Sequence, residues 1–420
     1  MLAGIVLEPI PVKEPVRDVR VADIDADGHE DVVAITDKHL LLFRGGRDGI
    51  AATPDVTRPA AALTVVGHGL LGVVKDGRYR AIEKPFGAWV EGEPGTSSLL
   101  GALGTGPPAL LDSPGDLDGD GRDDAVLSER EGVRALGVLL PVRPESRLEI
   151  KDNETFAVRF ELPVPVIGSW TGTGRQLIFA VDNAVIAFQE GREVERMPLP
   201  PPPEGESAAD LRRRHILLQD VDADGRLDML VVQAKGSMKM FSVFECVAAW
   251  FRGGHIYDAK KKRYFRPVVR KVPGILLRPA LFDVDGDKDL DLILSTVSPG
   301  GLTGSGEAPG VTYVFRFDRG PKGGTFSKRP TWTMSHMVPM ASFTDVPRAP
   351  TDFLPDWDGD HKPCVLERTK DAVRVFTVND AGHFLPSKTH AFPGAGQPSV
   401  GKTLAAVPGA KGVLIVREPR

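Results

Sequence analysis

Residues 23–35 read DIDADGHEDVVAI. Aspartates stand at positions 1, 3, 5 and 9 of this stretch, and glycine stands at position 6. Carboxylates at that spacing converge on one point when the chain turns tightly, and glycine supplies the positive φ that such a turn needs. Four carboxylates so close repel one another strongly unless a cation lies between them. Calcium is a hard ion that takes six to eight oxygens, and it suits the set. Asp23, Asp25, Asp27 and Asp31 would offer carboxylates and His29 its backbone carbonyl. An EF-hand opens the same way, but it closes with a bidentate glutamate at position 12 and lies between helices. Here position 12 is Ala34, inside a β-branched apolar run, so the EF-hand is excluded.

The pattern recurs. DLDGDGRDD at 116–124 offers Asp116, Asp118, Asp120 and Asp124, with Arg122 at the carbonyl position. DVDADGRLD at 220–228 offers Asp220, Asp222, Asp224 and Asp228, with Arg226 at that position. DVDGDKDLD at 283–291 offers Asp283, Asp285, Asp287 and Asp291, with Asp289 through its carbonyl. It has Lys288 at position 6, a weakness, because a non-glycine residue at positive φ is strained and this one brings a positive charge. A fifth copy, DWDGDHKPC at 356–364, keeps Asp356, Asp358 and Asp360 but has Cys364 at position 9. Four calcium sites are expected, and occupancy of the fifth loop is left open.

Each copy lies between short apolar runs, such as 19–24 and 32–35, or 280–284 and 292–294. Runs of this length bounded by Gly and Asp are strands. A third strand follows, as in HLLLFRG (39–45) or AVRVFTV (372–378). After it come a turn, such as NDAG (379–382) or EG (190–191), and a fourth strand. Degenerate units fill the gaps. IGSWTGTGRQLIFAV (167–181) has Ser169, Thr171 and Thr173 in place of the acids, and LTVVGHGLLGVVKDGRYRAIE (63–83) keeps only the strand rhythm.

Units therefore start near residues 18, 60, 110, 164, 215, 278 and 350. The tail TLAAVPGAKGVLIVRE (403–418) can join AGIVLEPI (3–10) in a blade shared between 400–420 and 1–12. The expected fold is all-β: one β-propeller domain over 1–420, built of four-stranded antiparallel blades. Eight blades are counted, or seven if the second unit is over-read. Terminal strands sharing a blade would close the ring without a free edge.

The loops and four-strand units resemble the FG-GAP/VCBS repeat family, which includes the integrin α-subunit propeller and many bacterial surface proteins. The sharp part of the resemblance is the loops. Regular Phe-Gly and Gly-Ala-Pro pairs are not found at each blade, so neither subfamily nor ligand carries over. The resemblance implies metal sites at the four intact loops, where calcium mainly braces a blade.

Composition agrees with a β architecture. The 420 residues include 46 Gly and 36 Pro, which favour many turns and short strands. The net charge of −5 is local acidity: sixteen aspartates stand at positions 1, 3, 5 and 9 of the four loops, and the remainder is net basic. No apolar run reaches the ~20 residues of a membrane span, and MLAGIVLEPIPVKEP has no signal-peptide pattern. Two cysteines, Cys246 and Cys364, make no disulfide framework and read as buried thiols. Weak extracellular-type calcium sites would stand empty in cytosol, which favours a secreted, periplasmic or cell-surface protein.

Other motifs are weaker. GQPSVGKT (396–403) matches a phosphate-loop pattern, but Pro408 would break the helix that must follow, so nucleotide binding is excluded. The basic stretch YDAKKKRYFRPVVRK (257–271) reads as a solvated hairpin tip, which disfavours nucleic acid as a partner, and RRRH (212–215) is read with the same caution. Trp170 and Trp357 could stack on sugars, although packing against the next blade is preferred. Asn153–Thr155 fits the glycosylation pattern, which decides nothing. No HExxH, G-x-S-x-G or Ser/His/Asp order is found. The expected function is a calcium-stabilised propeller that binds protein or glycan. The alternative is a propeller-type polysaccharide lyase or hydrolase.

Overall fold

The structure is a computed structural model. It describes residues 5–417 apart from residue 26 and segments 60–61, 68–69, 76–77, 84–89, 92–108, 111–124, 132–133, 141–165, 171–173, 181–183, 190–191, 201–213, 236–244, 254–255, 259, 262, 299–306, 321–322, 340–350, 358–361, 370 and 380–381. Among the described residues there is no helix, and nearly every strand pairs antiparallel with its neighbours in sequence.

Strands gather into sheets in chain order. Sheet 1 is Val16–Ala22, Asp31–Thr36, His39–Phe43 and Val56–Pro59. Sheet 2 is Ala62–Gly67, Leu70–Lys75, Arg78–Glu83 and Val90–Glu91. Sheet 3 has three described strands, Ala109–Leu110, Ala125–Glu131 and Arg134–Leu140. Sheet 4 is Val166–Gly168, Gln176–Ala180, Ala184–Gln189 and Arg192–Pro198. Sheet 5 is Arg214–Gln219, Asp228–Lys235, Glu245–Phe251 and Val268–Pro273. Sheet 6 is Ile275–Phe282, Asp291–Val297, Glu307–Phe315 and Trp332–Pro339. Sheet 7 is Thr351–Leu354, Cys364–Arg368, Ala372–Val378 and Phe384–Ala391.

Sheet 8 joins the two ends of the chain. Ser399–Val400, Leu404–Gly409 and Gly412–Arg417 are completed by Val6–Pro11, which pairs with the last strand from Val6↔Arg417 to Pro11↔Gly412.

Burial explains the sequence pattern of each strand. The second strand is covered on both faces: all of Asp31–Thr36 and all of Asp291–Val297 are buried, and both read as near-continuous apolar runs. The fourth strand is an edge with one face in water, so Trp332 to Val338 alternate buried and exposed. Phe384–Ala391, mostly exposed, carries Pro386 and Lys388, which blunt the edge against further pairing.

Neighbouring sheets pack face to face. Trp170, Ile178, Met229 and Phe251 join sheet 4 to sheet 5, and Trp250, Leu292 and Phe315 join sheet 5 to sheet 6. Val284, Trp332 and Val365 join sheets 6 and 7; Trp357, Leu366 and Leu414 join sheets 7 and 8; Val32, Phe43 and Ile415 join sheets 8 and 1. First strands also meet: Val16–Ala22 touches Ala62–Gly67 on one side and Ser399–Val400 on the other. Arg214–Gln219 likewise lies between Val166–Gly168 and Ile275–Phe282. Antiparallel meanders stacked in series with their first strands together are the packing of propeller blades.

Several sequence readings are resolved here. Trp170 and Trp357 are buried in the interfaces with the next sheet, and Trp357 Nε1 donates to the Lys402 carbonyl at 2.7 Å. Cys246 and Cys364 are buried thiols. Strand, not helix, follows GQPSVGKT. The basic stretch 257–271 forms a small ribbon, Tyr257–Asp258 with Arg263–Tyr264, and then the outer strand of sheet 5. Tyr257 and Tyr264 pack on each other with ring centroids 5.0 Å apart, and Tyr264 packs on Phe251 at 5.7 Å. RRRH, Asn153–Thr155 and the tips at 190–191 and 380–381 fall wholly or partly outside the described residues.

Candidate metal centres

Every loop of the first, third and fourth copies joins the first strand of its sheet to the second. The second copy, Asp116 to Asp124, lies outside the described residues, as do Asp358 and Asp360 of the fifth.

The loops fold through their own carboxylates. Asp23 accepts the backbone N–H groups of Asp27 and Gly28 at 3.1 and 3.0 Å. Asp220 does the same for Asp224 and Gly225 at 3.0 and 2.8 Å. Position 5 closes the next turn: Asp27 accepts from His29 at 2.8 Å, Asp224 from Arg226 at 3.0 Å and Asp287 from Asp289 at 2.9 Å. These turns tip successive carbonyls and carboxylates toward one place, an Asx-turn property of aspartate.

Positive φ occurs at two positions. Gly28 and Gly225 at position 6 have φ of 89° and 83°. In the fourth loop Lys288 takes that place at 73°, the strain its sequence implied. Position 4 is also left-handed, Ala223 at 51° and Gly286 at 76°, which the sequence reading missed. The fourth loop thus has its glycine at position 4, and Asp283 accepts from Gly286 and Lys288 at 2.8 and 2.9 Å.

Position 9 is a buried staple. Asp31 accepts Ile24 N–H at 2.9 Å on one oxygen and Gly45 N–H at 2.7 Å on the other. Asp228 accepts Val221 at 3.0 Å and also Gly253. Asp291 accepts Val284 at 3.1 Å and Phe317 at 2.7 Å. Each staple ties the loop to the residue after Arg44, Arg252 or Arg316 at the end of the third strand. The approach is close enough to exclude a side chain at Gly45, where a Cβ would lie 2.0 Å from the Glu30 carbonyl. In the degenerate loop of sheet 4, Gln176 holds the same register, and its Oε1 accepts Trp170 N–H at 2.9 Å. The staple therefore persists without a charge where the acids are gone.

Electrostatics mark the three loops as short of positive charge. Burial pushes the Asp31 carboxyl up to about 6, and Asp228 and Asp291 up to about 7, against the pull of their backbone donors. Burial and then the position-5 carboxylate raise Asp25, Asp222 and Asp285 as well. Asp25 Oδ1 and Asp222 Oδ1 are buried and accept no hydrogen bond. Buried acceptors of that kind are costly unless something positive completes them.

Donor atoms do converge. Oxygens of Asp23, Asp25 and Asp27 lie within 4.8 Å of one another, as do those of Asp220, Asp222 and Asp228, and of Asp283, Asp285 and Asp291. An all-oxygen, carboxylate-rich set belongs to calcium or magnesium rather than to zinc or copper. The sequence reading missed a recurring Phe-Arg at the end of the third strand: Phe43-Arg44, Phe251-Arg252 and Phe315-Arg316. Aligning the units on that strand would have found it.

Loops of neighbouring sheets are tied in a row. Leu227 N–H donates to Ser169 O, and Leu290 N–H to Val221 O, both at 3.0 Å.

No family profile and no curated protein matches the chain. Among solved structures it is similar to BBS1N in complex with ARL6DN, at 10% identity and a TM-score of 0.45 over 99% of this chain and 96% of that one. It is also similar to Drosophila Semaphorin 1a extracellular domains 1-2, at 8% identity and a TM-score of 0.43 over 99% and 88%. Both likenesses are distant. Among the described residues no helix is long and apolar enough to cross a membrane.

Proposed function

We propose that the chain is a calcium-braced β-propeller of the FG-GAP/VCBS type, eight-bladed, that presents loops for binding protein or glycan outside the cytoplasm. The observation that carries the metal reading is the shared scaffold of three loops, each gathering three aspartates' oxygens, with Asp25 Oδ1 and Asp222 Oδ1 buried and without a hydrogen bond. Asp23, Asp25, Asp27, Asp31 and the His29 carbonyl would hold one ion. The sets at Asp220 to Asp228 and Asp283 to Asp291 would hold two more, and the set at Asp116 to Asp124 a fourth. Bound calcium supplies charge neutralisation and rigidity. The staples at position 9 then pass that rigidity to the sheet behind each loop.

Seven four-stranded sheets and one with three described strands, with sheet 8 shared between Val6–Pro11 and residues 399–417, support a ring without free edges. Binding is preferred to catalysis because the aspartates of the three described loops are spent on holding the loops themselves. Calcium titration by calorimetry, with thermal melts in chelator and in excess calcium, tests the metal reading. A glycan array and a polysaccharide turnover screen, both with calcium, test the rest. Bond cleavage in the screen would replace the binding reading with the enzymatic one.

A further inference from the structure

A guanidinium stands on the position-3 carboxylate in all three described loops. Arg44 Nε lies 3.6 Å from Asp25 Oδ2. Arg252 Nη2 lies 2.8 Å from Asp222 Oδ2 and 3.5 Å from Asp224 Oδ2. Arg316 Nε lies 2.7 Å from Asp285 Oδ2, and its Nη2 3.4 Å from Asp287 Oδ2. The same short stretch delivers both parts of the contact. Arginine ends the third strand, and the next residue donates its N–H to the position-9 aspartate. Three recurrences in one geometry are not incidental surface pairs. The carboxylates they meet are largely withdrawn from solvent, with Asp222 at 4% and Asp285 at 1% side-chain exposure, so the charges are poorly screened.

We infer that Arg44, Arg252 and Arg316 are built-in counter-cations that set the calcium affinity of their loops and hold those loops folded when calcium is scarce. This rests on the calcium reading above. Asp222 shows the division of labour: Oδ2 pairs with arginine, while Oδ1 is buried and accepts nothing. A single positive charge on one side of the carboxylate stabilises the empty loop and repels a divalent ion on the other side. Even screened as fully as in water, a +1 and a +2 charge about 6 Å apart repel by roughly the equivalent of tenfold in affinity. The arginine therefore makes the fold less dependent on calcium and the binding weaker. A residue that only oriented the carboxylate would do the reverse to binding.

The test uses the whole chain with Arg44→Gln, Arg252→Gln and Arg316→Gln singly, and Arg252→Lys, which keeps the charge. Calcium affinity is measured by calorimetry, and melts are recorded in chelator and in excess calcium. Each Gln variant should melt lower in chelator yet bind calcium about tenfold tighter at its own loop, while Arg252→Lys stays near the unmodified affinity. Arg44→Gln breaks the longest of the three contacts and is the mildest fold perturbation, so it carries the test should the others unfold. Calcium binding by the unmodified chain with equal or weaker binding by the Gln variants overturns this inference alone. No calcium binding by the unmodified chain overturns the calcium reading and this inference with it.

Discussion

The carboxylate of Glu30 lies across the turn at Thr403. One oxygen accepts the Thr403 N–H and hydroxyl, both at 2.8 Å, and the Leu404 N–H at 3.2 Å; the other accepts the Lys402 N–H at 2.5 Å. Glu30 is position 8 of the first loop, and the turn belongs to sheet 8, so the contact latches the first sheet to the last. It also accounts for the Gly-Lys-Thr that resembles a phosphate loop: these amides do form an anion nest, and the anion is a side chain of the same chain. A Cβ at Gly401 would meet Glu30 Oε1 at 2.2 Å, so the close approach requires glycine there.

Glu30→Gln keeps the size but removes the charge from this nest. Charge-assisted bonds at a partly exposed site are worth about 1–2 kcal/mol net. Denaturant melts should show a loss of that size, and Thr403→Val should show a smaller one. A loss no larger than a few tenths of a kcal/mol for Glu30→Gln would mean the latch is decorative.

Removing calcium should lower the melting temperature by several degrees, and adding it back should restore it. An ion held at ~100 times its dissociation constant stabilises the native state by about 2.7 kcal/mol per independent site. Scanning calorimetry with and without chelator checks this; superimposable curves would count against occupied sites.

Asp228→Asn should do two things at once. It abolishes the calcium response of that loop, and it leaves one buried backbone N–H, of Val221 or Gly253, without its acceptor. The second effect alone costs about 1–3 kcal/mol, visible even in chelator. Equal stability of variant and parent in chelator would show that the staple is dispensable.

Lys288→Gly relieves a left-handed non-glycine residue at φ 73° and removes an ammonium group from the loop. The fourth loop should gain about 1 kcal/mol in chelator and bind calcium more tightly. Calorimetry of this single variant reads both effects, and a loss of stability would refute the strain argument.

Leu366→Ala empties a fully buried site between sheets 7 and 8 and should cost about 2–5 kcal/mol. Leu385→Ala, on the exposed outer strand of sheet 7, should stay within about 0.5 kcal/mol of the parent. Paired urea melts compare them, and similar losses would contradict the burial gradient from second to fourth strand.

The sequence displayed what is local. Aspartates at fixed spacing and the apolar runs beside them named the loops and the first two strands, because both signals lie within a dozen residues. Arg44, Arg252 and Arg316 stayed hidden because they approach their loops through the third strand, 19, 30 and 31 residues after Asp25, Asp222 and Asp285. Ala223 gave no sign of its left-handed turn, since only glycine advertises one. Gln176 was passed over because only the pairing of Gly168 with Gln176 reveals that it stands where aspartate does elsewhere.

The pairing of Val6–Pro11 with Gly412–Arg417 has a bearing on how the molecule is made. Val6–Pro11 is made some four hundred residues before Gly412–Arg417, so sheet 8 cannot be completed until the strands of sheets 1 to 7 have been synthesised. Until then sheet 1 lacks the neighbour that covers Val32 and Phe43, and two sheet faces and an edge stand open. A transcript cut short before Gly412 would lose more than one strand: its product would keep exposed apolar surface that invites pairing with other chains, and quality control could recognise it by that surface.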